Sequence, residues 1–120
     1  MSYLNRVNDI YEHIAKGEAL DAFEKYYDED VVMILEDGTE VEGKDNNRER
    51  EHEFFDSVEE FHGIDVHKIT SNEEEASTAV ESTMDVTFKG GDRMEMAQVA
   101  VQQWKDDQIV KERFYATQNS

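Results

Sequence analysis

The sequence contains no cysteine, which excludes disulfides and thiolate metal sites and fits any compartment. It has no apolar run near the ~20 residues of a membrane-spanning helix. Its first residues, MSYLNRVND, lack the charged-then-apolar order of a signal segment, so a cytoplasmic location is the expectation. Cations are scarce: 12 Lys+Arg stand against 30 Asp+Glu, a formal net charge of -18. Such a chain repels phosphate backbones and anionic lipid, so neither nucleic acid nor membrane is an expected partner. The acidity is spread along the chain, as in proteins from high-salt cytoplasms and equally in ordinary acidic cytosolic proteins. The sequence also lacks a P-loop, a Gly-x-Ser-x-Gly elbow, a dinucleotide fingerprint and a His-Glu-x-x-His pair. His13, His52, His62 and His67 form no tight ligand pattern, so no metal and no cofactor is expected.

What remains is enough for one domain with one core, residues 1–120. Leu4, Val7, Tyr11 and Ile14 recur at helical spacing after Ser2, a plausible N-cap, and Gly17 stops the helix. A shorter stripe, from Ala19 to Tyr27, forms a second helix. Val31–Leu35 reads as a buried strand, Asp37-Gly38 as a hairpin turn, and Thr39–Glu42 as its partner. A third helix is expected from about Asp45 to Phe61. Its stripe of Phe54, Phe55, Val58 and Phe61 turns polar towards Glu51 and Asn47 or Arg48. Those first turns either project beyond the core or form a polar pocket wall. From Ile64 the period is two, which predicts strands at Ile64–Ser71, Ser77–Phe88, Arg93–Lys105 and Gln108–Thr117. The order predicts an α+β fold in which a curved antiparallel sheet wraps three helices of the N-terminal half.

Two-residue turns at Gly90-Gly91 and Asp106-Asp107 would set Phe88 opposite Arg93, Met84 opposite Ala97, Trp104 opposite Ile109 and Val101 opposite Glu112. One face then carries Val80, Met84, Val99, Val101, Glu112 and Phe114 and meets the helices. The other carries Met94, Met96, Gln98, Gln102, Trp104, Arg113 and Tyr115. With three large apolar residues exposed together, that face reads as the contact surface of a homodimer. Glu81 and Asp85 on it are expected to pair with Lys111 or Arg113.

The segments AKGEALDAFEKYYDEDVVMILEDGTEVEGKD and VAVQQWKDDQIVKERFYA, in this order and spacing, resemble the SnoaL-like branch of the nuclear transport factor 2-like superfamily. The resemblance covers essentially the whole chain. It implies a cone-shaped α+β barrel with a pocket between the concave sheet and the helices, and often a homodimer through the sheet. It does not imply one chemistry, since the relatives include isomerases, cyclases, dehydratases and epoxide hydrolases. A ketosteroid-isomerase-like site would need a tyrosine on the first helix, a basic carboxylate after the first strand and a protonated acid on the penultimate strand. Tyr11 and Glu36 or Asp37 fall near the first two positions. The third falls at Ala100 or Val101, so that design is incomplete.

One carboxylate stands in an apolar row: Glu112, among Val110, Phe114 and Ala116. Burial would raise its pKa and make it a proton donor or acceptor; the alternative is a solvated or salt-bridged glutamate. Tyr11, Phe23, Tyr27, Met33, Phe54, Phe55, Val58, Met84, Val99, Val101 and Phe114 are the expected core or pocket lining. The leading expectation is a small, largely apolar ligand in the barrel, with cofactor-free acid/base chemistry as the reaction class such a site allows. The opposing one is a non-catalytic assembly module that works through its outer sheet face.

Overall fold

A computed structural model of the chain describes residues 2–116. Thr117, the expected end of the last strand, lies outside the described residues. The first helix, α1 (Tyr3–Ala15), starts where the Ser2 side chain accepts a 3.0 Å bond from the Asn5 amide. It stops at Gly17, whose φ of +78° a side chain would resist. Its inward face is Val7, Ile10 and Tyr11. The second helix, α2 (Ala19–Tyr26), buries Ala22, Phe23 and Tyr26, and the chain passes directly into strand β1 (Tyr27–Ile34). A tight turn leads to β2 (Glu40–Glu42), then α3 (Lys44–Asp56). Four long strands follow: β3 (Val58–Asn72), β4 (Ser77–Phe88), β5 (Arg93–Lys105) and β6 (Gln108–Ala116).

The six strands form one sheet in the order β2-β1-β6-β5-β4-β3. All neighbours are antiparallel except β1 and β6, which run parallel. This pair departs from the all-antiparallel expectation, because the chain returns to β1 only after the whole β3–β6 meander. Three irregularities in the β3–β4 ladder bend the long outer strands over the helices. Inside the curve, Val7, Phe23, Tyr26, Val31, Met33, Val80, Trp104 and Ile109 make the core.

Three local expectations are corrected. The third helix ends at Asp56, not near Phe61. Ser57 closes it: its amide reaches the Glu53 and Phe54 carbonyls, and its hydroxyl donates 2.5 Å to Phe54 O. Val58 and Phe61 therefore belong to β3, where they pair with Phe88 and Val86; a bulge between them mimics helical spacing. The β4–β5 hairpin has a three-residue loop, Lys89-Gly90-Gly91. Phe88 N donates to Asp92 O (3.1 Å), so Thr87 faces Arg93 and Met84 faces Met96. That single extra residue exchanges the two faces of β5 relative to β4.

The β5–β6 hairpin does turn on Asp106-Asp107, with Trp104 opposite Ile109. A bulge at Val110 then shifts the register, so Gln103 meets Lys111 and Gln102, not Val101, meets Glu112. Five of the residues expected on a dimer face (Met94, Met96, Gln98, Gln102 and Trp104) consequently share the concave row of β5. Val99 and Val101, expected in the pocket, alternate with them on the convex side. Arg113 and Tyr115 do lie on the convex side, opposite Val101 and Val99. Asp85 pairs with Arg93, through bonds of 3.1 and 2.8 Å, and not with Lys111 or Arg113.

Candidate functional site

Between the helices and the concave sheet lies a cavity of about 580 Å³ that opens to solvent. Its wall is mostly apolar. Ile10, Tyr11 and Ile14 come from α1; Phe23 from α2; Phe54 and Phe55 from the end of α3; Met84, Met94, Met96 and Phe114 from the sheet. The Phe54 ring meets both Phe55 and Phe88 edge-on, with centroids 5.1 and 6.0 Å apart, which stiffens that wall. Of the expected lining residues, Tyr11, Phe23, Tyr27, Phe54, Phe55, Met84 and Phe114 line this cavity. Met33 instead sits in the core behind it, fully buried. Val58 is half-buried at the start of β3, opposite Phe88.

Polar groups converge at one place on this wall. Glu112 is 3% exposed and accepts two short bonds, 2.5 Å from Tyr27 Oη and 2.7 Å from Gln102 Nε2. The Gln102 amide is oriented by what lies behind it. Trp104 Nε1 can only donate, and it does so to Thr78 Oγ1 at 2.9 Å. The Thr78 hydroxyl hydrogen is then free for Gln102 Oε1, 2.7 Å away, which turns the Gln102 NH₂ towards Glu112. Thr78, Gln102 and Trp104 are all buried. The chain Trp104–Thr78–Gln102–Glu112–Tyr27 thus satisfies every side chain in it, as a buried polar network must. Each carboxylate oxygen accepts one protein bond and retains a lone pair for the cavity that Glu112 lines.

Burial dominates the electrostatics of Glu112 and pushes its carboxyl from the ordinary 4.5 up to about 7, against the downward pull of the Gln102 and Tyr27 bonds. The charge of Glu51 adds to the rise and that of Arg50 opposes it. Glu51 is itself raised by burial, against Arg50 and His52. Burial, followed by the charges of Glu112 and Glu51, raises the Tyr11 hydroxyl and keeps it protonated. Burial and Glu112 do the same to Tyr27. The site is therefore two phenol donors and two carboxyls whose charged forms burial disfavours, in an apolar cavity with the Arg50 guanidinium beside them.

Arg50 and Glu51 stand here because α3 turns the face Asn47–Glu51–Phe54 inward. Asn47 is fully buried and donates to the Val41 and Gly43 carbonyls at 3.0 and 2.9 Å. Of the two readings of that polar stripe, the pocket wall is the one realised. Leu35 and Glu36 also reach the cavity. At the penultimate-strand position Ala100 is buried opposite Phe114, and no acid stands there.

The family model of the SnoaL-like domain matches residues 4–116. The chain belongs to the SnoaL-like family. Solved structures agree with this at the level of the fold. A Mesorhizobium loti protein named as a SnoaL-like polyketide cyclase is 27% identical, with a TM-score of 0.82 over 96% of this chain and 99% of the other. A Xanthomonas campestris protein named as a polyketide cyclase is 20% identical, with a TM-score of 0.81 over 96% and 90%. An LEH-like epoxide hydrolase of M. tuberculosis is 16% identical, with a TM-score of 0.76 over 96% and 82%. No curated protein shows significant similarity to this SnoaL-like domain. Among its described residues, no helix is long and apolar enough to cross a membrane, and no three His, Asp or Glu side chains gather as a metal site.

Sequence reasoning singled out Glu112 as a candidate pocket acid and named Glu51 in a possible polar pocket wall, but missed Gln102, Thr78 and Arg50 as site residues. For Arg50 the available signal was the i, i+3, i+4 spacing back from Phe54 that already marked Glu51. For Gln102 it was the two-residue interval to Trp104, which any register that buries the indole would bury too.

Proposed function

We propose that this SnoaL-like domain binds a small, largely apolar carbonyl compound in its cavity and moves a proton on it with Glu112. The observation that carries this reading is Glu112 itself, recessed on an open apolar cavity and held by Tyr27 and Gln102. A carboxyl raised to about 7 is half-ionised near neutrality, so it can take a proton as carboxylate and return one as acid. Its two bonds limit how far burial can disfavour the charged form, and they fix the direction of attack. In the simplest form, Glu112 takes the proton alpha to the carbonyl. The electron pair moves onto the carbonyl oxygen, and the Tyr11 hydroxyl, which makes no hydrogen bond among the described residues, is a donor available to it. Returning the proton to the same or another atom completes an isomerase- or cyclase-like step with no cofactor. The named activities of the fold relatives, cyclase and epoxide hydrolase, are compatible with acid/base work by a carboxyl in the same cavity.

Deuterium uptake tests this. 2-Acetylnaphthalene in D₂O with the protein should gain deuterium in its acetyl group faster than without it, and Glu112→Gln should return the rate to the uncatalysed one. Equal uptake with wild type and Glu112→Gln would remove Glu112 from the chemistry.

A second reading, a homodimeric assembly module, has one observation in its favour. Val99 faces Tyr115 and Val101 faces Arg113 on the convex side of β5 and β6, and Tyr115 is 47% exposed. A second copy covering this face is compatible with a working pocket on the other.

A further inference from the structure

Arg50 is anomalous in this chain. In a protein with 30 acidic residues, three of the other four arginines find carboxylates at close range: Arg6 takes Asp107 at 2.8 Å, Arg93 takes Asp85 at 2.8 Å, and Arg48 holds Glu24 and Asp45 at 2.5 and 2.6 Å, while Arg113 lies over the Tyr115 ring on the convex face. Arg50 lines the cavity with two weak contacts among the described residues, one to a thioether sulfur, a poor acceptor, and one to a carboxylate at the outer limit for a hydrogen bond. Its Nη2 lies 3.4 Å from Met33 Sδ and 3.5 Å from Glu51 Oε1. Its buried Nε has no partner. A guanidinium carries five N–H donors and no acceptor, and leaving them unpaired in an apolar setting is costly. Nε itself is closed off, but the guanidinium lines the cavity, so its weakly held Nη donors can be paired by what fills that space.

We propose that Arg50 anchors the oxygen of the ligand, and that this oxygen is a neutral carbonyl, as in a ketone, ester or lactone, and not a carboxylate. The charge balance of the cavity selects between them. Glu51 and Glu112 line the same cavity, and burial there already disfavours their charged forms, so an anion brought to the guanidinium would meet the same burial cost and add repulsion with either carboxyl when it ionises. A neutral acceptor pairs the N–H groups without that repulsion. The remaining wall, of Phe and Met side chains, takes an apolar body. This inference rests on the pocket reading above and specifies the polar end of its ligand.

The experiment is an affinity comparison of three probes with one apolar body: 2-ethylnaphthalene, 2-acetylnaphthalene and 2-naphthoate, each titrated against wild type, Arg50→Met and Arg50→Lys. Wild type should prefer the ketone over the hydrocarbon by about tenfold, the scale of one hydrogen bond to a charged donor. Arg50→Met should bind both alike and keep the wild-type affinity for 2-ethylnaphthalene, which also shows that the variant is folded; Arg50→Lys should keep part of the preference. An unchanged preference in Arg50→Met, or 2-naphthoate as the tightest ligand, overturns the assignment and leaves the pocket intact. Failure of all three probes to bind wild type overturns the pocket reading and this inference with it.

Discussion

Tyr27 and Glu112 stand 85 residues apart in the chain, yet Tyr27 Oη donates to Glu112 Oε1 across 2.5 Å. The bond joins the first strand to the last. It exists because β1 and β6 are parallel neighbours in the sheet, with Tyr27 opposite Ile109 and Met33 opposite Glu112 across an irregular stretch. A phenol from the helix–strand junction and a carboxyl from the C-terminal strand therefore meet on the cavity wall.

Replacing Tyr27 by phenylalanine should raise the Glu112 pKa further above 7, because the lost bond favours the charged carboxylate. The same variant should lose about 1–3 kcal/mol of stability, more at pH 8 than at pH 5, since the charged form is the one left short of a donor. Urea denaturation at the two pH values checks this; an equal loss at both would deny the coupling.

Glu112 should also give stability a pH dependence of known sign. Its folded value of about 7 exceeds its ordinary 4.5. Below about 4.5 the carboxyl is protonated in both states and burial carries no ionisation penalty. Between 4.5 and 7 the unfolded chain ionises while the folded one keeps its proton, so stability falls as pH rises; above 7 the penalty is constant, on the order of 3 kcal/mol. The stability of Glu112→Gln relative to wild type should thus climb through this window and then level off. A difference that is flat from pH 4 to 8 would contradict the burial of Glu112.

Thr78 tests the network behind the carboxyl. Thr78→Val leaves Trp104 Nε1 without an acceptor and Gln102 Oε1 without a donor, both buried. The expected cost is about 2–4 kcal/mol in thermal or urea unfolding. Thr78→Ser, which keeps the hydroxyl, should recover most of it.

The outer face is tested by chain mass in solution at low and high salt. A homodimer that Tyr115→Glu converts to monomer supports the convex strands as the contact. A wild-type monomer at both salt concentrations removes the dimer.

Much of the fold was legible because it follows from local rules. Ser2 and Gly17 bound the first helix, and period two from Ile64 onward marks the meander. The site was less legible because faces depend on counting. One extra residue in the Lys89–Gly91 loop moved Gln102 and Trp104 to the concave side, and one extra residue at Val110 turned Glu112 back to meet them. The two departures cancel for Glu112, which reaches the pocket beside Gln102 and not Val101. They do not cancel for Val99, Val101, Met94 or Met96, whose faces are exchanged. Neither the choice of a three-residue loop nor a bulge is written in side-chain periodicity. Burial of Trp104 goes with the loop, and the inward placement of Glu112 and Phe114 beyond Ile109 goes with the bulge; burial is a property of the packed molecule.

The most direct test of the account is a carbon-13 NMR titration of the Glu112 side-chain carboxyl, assigned by its loss in Glu112→Gln. The account predicts a midpoint near pH 7. A midpoint near the ordinary 4.5 would mean a solvated carboxylate, and the proton-transfer reading of this cavity would fall.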